Sequence, residues 1–146
     1  LMPETIASMS KLSFSKGGNS TISINDRVTP SNPEDRSASY FYWWPEEESR
    51  TEWISYEFKE ATTVSSTSVW WYDDQPWGDC RLPEFWKIYY KDAAGNWVAV
   101  QTEDTYTTRK GVANTIEFKS VKTTAMKLEI GQPKDYSCGL FEWEIN

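Results

Sequence analysis

The side chains in this chain that could do chemistry are aromatic rings and oxygen groups, because histidine is absent. That absence removes the commonest general base and the commonest transition-metal ligand together. What remains is a set of nine tryptophans, several of them in turn-rich segments. A pyranose has an apolar C–H face and a polar hydroxyl rim, so a site for one needs aromatic faces ringed by donors and acceptors. Trp77 lies between Pro76 and Gly78, in a turn where burial is hard, and is the first candidate for a stacking ring. Trp43 and Trp44 follow Tyr42 in YFYWWP, where one ring can plug the end of a sheet pair while the other faces outward. Asp74 and Arg81 flank Trp77 and are expected to hold hydroxyls, beside Asp73 and Gln75. An arginine fork takes either two vicinal hydroxyls or a uronate carboxylate. Tyr106, Arg109, Lys110 and Tyr136 complete the candidate ligand-binding set. Arg81 and Lys110, in an otherwise acidic chain, point to an acidic, pectic sugar.

A second group of oxygens lies between Ile24 and Arg36, where two prolines fix the backbone and Asn25, Asp26, Asn32, Glu34 and Asp35 follow closely. Calcium takes six to eight oxygens from such curved loops. The plainer alternative is an ordinary polar loop with Asp26 forming an Asx-turn. The acidic runs Glu46-Glu47-Glu48 and Asp73-Asp74 invite a two-carboxylate glycosidase reading. Charge runs are usually solvated faces, however, and the chain is short for a substrate-wrapping cleft. No histidine base exists for a serine or cysteine nucleophile, and no glycine-rich phosphate loop is visible. The expectation is a binding domain, not an enzyme.

Bulk properties narrow the partners. A 146-residue chain is one domain by prior. A net charge of −7 argues against nucleic acid and against anionic membrane surfaces. No segment is long and apolar enough to span a bilayer. Residues 1–10 have neither the basic nor the apolar region of a signal peptide and read as a linker, with the domain running from 11 to 146. Cys80 and Cys138 are either one disulfide or two buried thiols.

The elements that must position these groups are strands. Apolar residues alternate in TEWISYEF (Ile54, Tyr56, Phe58), SSTSVWWY (Val69, Trp71) and EFWKIYYK (Trp86, Ile88, Tyr90). NWVAV, NTIEF, AMKLEI and LFEWEI continue the pattern, the last placing Phe141, Trp143 and Ile145 inward and Glu142 and Glu144 outward. Trp70, Trp71, Trp86, Trp97 and Trp143 are expected to pack between sheets. DAAGN reads as a hairpin turn. Roughly eight short strands at this spacing give an all-β, antiparallel β-sandwich.

The succession of IND at 24–26, YFYWWP, TEWISYEFKEATTVSSTSVWWYDD, LPEFWKIYYKDAAGNWVAV, NTIEF, TTAMKLEI and GLFEWEI resembles the discoidin, or coagulation-factor C-type, galactose-binding-like domain. The chain also resembles carbohydrate-binding module family 32, appended to glycoside hydrolases of gut Bacteroidota, and the resemblance implies a jelly roll. The resemblance implies a structural calcium held by the loop and by a glutamate of the last strand. Carried onto this chain, the side-chain ligands are Asp26, Asp35 and Glu142, and Asn25 and Arg27 contribute carbonyls. One departure is Arg27, where the family commonly has glycine after the aspartate. The function implied is a non-catalytic, monomeric module of a secreted, periplasmic or cell-surface bacterial enzyme. It would tether a covalently linked catalytic domain to plant cell-wall polysaccharide. The alternative is a structural domain that packs on its own enzyme and binds no sugar. Exposed rings forming one large apolar patch would favour that alternative; rings set among charged groups favour sugar.

Overall fold

The computed structural model describes residues 2–16 and 22–146. Among these residues are eight strands: β1 (Lys11–Phe14), β2 (Phe41–Trp43), β3 (Arg50–Tyr72), β4 (Cys80–Arg81), β5 (Phe85–Lys91), β6 (Trp97–Ala99), β7 (Asn114–Gln132) and β8 (Ser137–Ile145). A 3-10 turn spans Ile22–Asn25. Among these strands all pairings are antiparallel except that of β4 with β8.

Two strands are far longer than the short runs read from the sequence. β3 and β7 pair along nearly their whole length, with register shifts between Glu57 and Thr62 and between Val64 and Ser66. Irregularities of this kind bend a strand and raise its twist. Before the first shift, β3 is flanked by β1, and β7 by β5 and then β6. Beyond it, β3 is flanked by β8, which also carries β2 and β4. One hydrogen-bonded ribbon therefore feeds both leaves of the structure. Their inner faces meet through aromatic pairs. Tyr56 of the first leaf stacks on Trp143 of the second at 4.2 Å, and Trp86 meets Trp71 edge-on at 5.7 Å. Trp43, Trp71, Trp86 and Trp143 are fully buried, together with Ile54, Ile88, Met126 and Leu128. Each such side chain contributes roughly 1.5–3 kcal/mol relative to exposure.

The alternation in β3, β5 and β7 is as the sequence indicates, and Asp92–Asn96 closes the β5–β6 hairpin with Gly95 at φ 85°. Four expectations change. Within residues 2–10, expected to be a linker, Ala7 lies in the core, and its carbonyl accepts from Asn25 Nδ2 at 2.8 Å. Trp97 sits on the outer face of β6, with Lys91 Nζ 5.0 Å and Lys127 Nζ 5.2 Å from its ring, so it is half-buried by cations. Glu142 is fully buried instead of facing solvent. Phe141 packs not in the main core but in a second cluster with Tyr72 and Cys80, joined by Tyr40, Tyr42 and Trp70. Cys80 and Cys138 are buried free thiols; burial, with Asp74 and Asp73 nearby, pushes the Cys80 thiol up to about 12.

Both ends of β3 reach the same rim. Arg50 pairs with Gln132, Tyr72 with Gly139, and Trp43 with Cys138. Gln132 Nε2 closes the ring by donating to the Trp44 carbonyl at 2.6 Å and the Tyr136 carbonyl at 2.9 Å.

Candidate carbohydrate site and metal loop

The loop leaving β3 is built around Asp74. Its Oδ1 accepts from the Cys80 amide at 2.9 Å, and its backbone carbonyl accepts from Trp77 N at 2.8 Å and Gly78 N at 3.0 Å. Gly78 is required because a Cβ there would fall on the Asp74 carboxylate. The tight turn leaves the Trp77 ring no covering neighbour, and Trp77 is 78% exposed. Asp74 is thus a loop-organising group facing inward, not the hydroxyl-holding group expected of it.

Arg81 closes the same loop. Its Nη1 donates to the Gly78 carbonyl at 2.7 Å and the Cys80 carbonyl at 3.0 Å, and lies 4.0 Å from Asp74. Its guanidinium carbon stands 4.4 Å from the centre of the Tyr136 ring. Tyr136 is 39% exposed, and Trp44, edge-on to Tyr42 at 5.4 Å, is 47% exposed. The structure therefore brings Trp77, Arg81, Tyr136 and Trp44 to one rim, the rings separated by a cation and by the Asp73–Gln75 polar turn, where Asp73 Oδ1 accepts from Gln75 N at 2.9 Å.

Three expected residues lie elsewhere. Trp43 is fully buried, with its ring edge-on to Phe41 at 5.0 Å, because strand alternation turns it inward where Trp44 turns out. Tyr106 packs edge-on against Trp86 at 4.7 Å, and its hydroxyl accepts from Ile88 N at 3.3 Å. Arg109 donates from Nη2 to the Ala113 carbonyl at 3.2 Å within its own loop. Lys110 pairs with Glu34 at 3.2 Å, on a loop tied to the Trp77 turn through Arg36 Nη2 and the Gln75 carbonyl at 3.4 Å. Arg36 was not singled out from the sequence; a lone arginine between Asp35 and Ser37 carries no signal for such a bridge.

The metal-loop residues divide. Glu142 Oε2 accepts from Arg27 N at 3.0 Å, whereas Oε1 is buried with no partner. Burial first, then a hydrogen bond with the Asp26 carboxyl, pushes the Glu142 carboxyl up to about 10. A buried carboxyl beside a second carboxylate is costly to ionise without a cation. An orphaned buried carboxylate oxygen beside a second carboxylate fits a hard, oxygen-seeking ion. Arg27 supports the turn at φ 69°, a left-handed conformation that favours glycine. Its Nη1 bonds to the Met2 and Pro3 carbonyls at 2.9 and 3.1 Å and lies 3.5 Å from Glu4. The segment before β1 thus braces an arginine held in a left-handed conformation.

Asp35 does not join this group. Its Oδ2 accepts from Ser31 N and Oγ at 2.9 and 3.0 Å, and its Oδ1 from Ser37 N and Oγ at 2.9 and 2.6 Å. These bonds, the Ser31 amide foremost, hold its carboxyl well below the usual carboxylate range. Among the described residues no group of three or more acidic or cysteine side chains gathers around a common point. Asn25 and its amide to Ala7 brace the 3-10 turn beside Asp26.

The fold and this rim define a galactose-binding-like domain. The family model described as NedA-like, galactose-binding domain, of the F5/F8 type C group, matches residues 18–128, and the chain belongs to that family. Comparison with curated protein sequences finds no match. Among solved structures, one from the β-galactosidase BgaA of Streptococcus pneumoniae is 15% identical, with 94% of this chain and 96% of that chain covered at a TM-score of 0.70. Chitosan-binding module 1 of the chitosanase/glucanase from Paenibacillus sp. IK-5 is 17% identical, covering 99% of each chain at a TM-score of 0.64. The Clostridium perfringens module CpGH89CBM32-5, solved with GalNAc-β-1,3-galactose, is 10% identical, covering 96% of each at a TM-score of 0.62. At these identities the likeness is one of fold.

Proposed function

We propose that this protein is a non-catalytic carbohydrate-binding module that tethers a linked glycan-degrading catalytic domain to polysaccharide outside the cytoplasm, as a secreted, periplasmic or cell-surface protein. The carrying observation is Trp77, an indole 78% exposed on a turn whose backbone is locked by Asp74. A rigid, exposed aromatic face offers a large contact area at low conformational cost to a sugar that stacks on it. The carbohydrate-binding modules among its structural relatives support the same class. Tethering works through effective concentration, so a weak single site suffices. Rings interleaved with Arg81 and the Asp73 turn suit sugar better than a protein interface. Uronate recognition through Arg81, the pectic alternative, has less support, because Nη1 is already engaged inside the loop. We further propose a structural calcium held by the side chains of Asp26 and Glu142 and stiffening the loop that follows.

The test is a glycan array of pectins, arabinans, galactans and chitosans, with and without calcium, comparing the wild type with Trp77→Ala. Loss of a central aromatic contact costs about 2 kcal/mol or more, about thirtyfold in affinity. Retention should fall by that factor with melting unchanged. Retention equal to wild type, or collapse of the fold, removes Trp77 from the site.

A further inference from the structure

A cleft of about 240 Å³ opens on the same rim, lined by Ser49, Arg50, Thr51, Glu84, Phe85, Gly131 and Gln132. Its origin is a glycine. β3, β7 and β5 lie side by side here, and Thr51 and Phe85 both pair with Gly131. A Cβ on Gly131 would collide with the Phe85 ring, so the missing side chain lets that ring lie across the central strand. Phe85 remains 45% exposed. Two polar atoms of the lining residues, both buried behind the cleft surface, lack partners: Gln132 Oε1, an acceptor on a residue 1% exposed, and Arg50 Nε, a donor. Orphaned polar atoms of this kind call for an explanation, and a ligand is one. A flat apolar ring beside an unpaired donor and an unpaired acceptor matches the face and rim of a pyranose.

The surrounding charge selects among pyranoses. A neighbouring recess of about 530 Å³ shares Ser49 and Arg50 and is lined by Glu46, Glu47 and Glu48. Arg50 is taken up by Glu46 at 3.0 Å and by buried Glu52 at 2.8 Å. Lys16 also pairs with Glu46. Glu47, Glu48 and Glu84 have no cationic partner among the described residues. The cleft thus presents one uncompensated carboxylate, Glu84, and the adjoining recess two more, Glu47 and Glu48. A uronate there meets like charge, whereas an ammonium group meets opposite charge.

Resting on the carbohydrate-binding function proposed above, we infer that this cleft is a second subsite, taking an amino sugar with a free ammonium group, next to the unit that stacks on the Trp77 rim. Gln132 joins the two places, since its Nε2 holds the Trp44 and Tyr136 carbonyls while its Oε1 faces no partner. A ligand spanning both is an oligosaccharide, not a monosaccharide. Phe85 supplies the ring face, and Glu84 the charge that recognises the ammonium group.

The experiment is calorimetric titration of the wild type, Trp77→Ala, Phe85→Ala and Glu84→Gln with three probes. These are β-1,4-linked glucosamine oligomers, their fully N-acetylated counterparts and oligogalacturonate, at low and high salt. The glucosamine oligomer should bind the wild type at least about tenfold tighter than the other two at low salt, and lose that margin at high salt. Phe85→Ala should weaken it about tenfold or more. Glu84→Gln, which removes charge without volume, should erase the preference over the acetylated oligomer. Thermal melting checks that each variant folds, and Glu84→Gln carries the test if Phe85→Ala does not. Glucosamine binding that Trp77→Ala weakens and both cleft variants leave intact overturns the second subsite alone. Equal or tighter binding of the acetylated or uronate oligomer overturns the amino-sugar assignment. No binding of any glycan, here or on the array, overturns the carbohydrate-binding function itself.

Discussion

Glu142 shows what one residue can hold that alternation alone hides. A period-two pattern assigns it outward, yet it is fully buried under the Asp26–Arg27 turn with one oxygen unsatisfied. The consequence is a pH dependence that a cation should remove. Without a cation, the Glu142 carboxyl stays protonated in the fold up to about pH 10, against 4.5 in the unfolded chain. The folded state then binds the extra proton, so stability is greatest at acid pH and declines as pH rises through that window. Melting of EDTA-treated protein should therefore fall progressively above about pH 5. Calcium should raise the melting temperature at neutral pH and flatten the decline. Glu142→Gln should abolish both effects. A melting temperature insensitive to EDTA and to pH in that range would rule out the metal.

At the same scale, tryptophans sorted themselves unevenly in the sequence. Trp77 was legible because Pro76 and Gly78 deny it a strand and hence a burial partner. Trp43 and Trp44 were legible only as a pair, since alternation says that one is in and the other out but not which. Tyr106 was not legible as a packing residue, because its contact with Trp86 is tertiary and no local spacing encodes it. Asp35 was carried over as a metal ligand because it is a carboxylate in the right loop. Its oxygens are satisfied by Ser31 and Ser37, serines that read as ordinary loop composition.

At the scale of elements, the strands themselves follow from apolar alternation, and the hairpin from DAAGN. The bend of β3 and β7 between leaves did not emerge, because register shifts sit in polar, Thr- and Ser-rich stretches where alternation carries no hydrophobic contrast. The cleft beside Phe85 depends on a cross-strand pairing between Phe85 and Gly131, far apart in sequence, so it too was out of reach. The Asp74 turn is the element on which the proposed carbohydrate site depends. Gly78→Ala should place a methyl group on the Asp74 carboxylate and reorient Trp77. Glycan retention should drop roughly tenfold or more while the core, remote from this turn, keeps its cooperative melting. Retention at the wild-type level would mean that the turn does not orient the ring.

For the whole molecule, the net charge of −7 takes on a location. Unpaired carboxylates gather on the rim that carries the exposed rings. The ribbon of β3 and β7 serves both leaves and returns both ends of β3 to that rim. Loops from distant parts of the chain consequently converge where a polysaccharide would lie, while Trp71, Trp86 and Trp143 fill the interior. The most direct check follows the nine indole N–H signals by NMR during titration with the best glycan from the array. The Trp77 signal should move in a saturable way, and those of buried Trp43, Trp71, Trp86 and Trp143 should stay in place. Saturable glycan binding with the Trp77 signal unmoved would contradict the account.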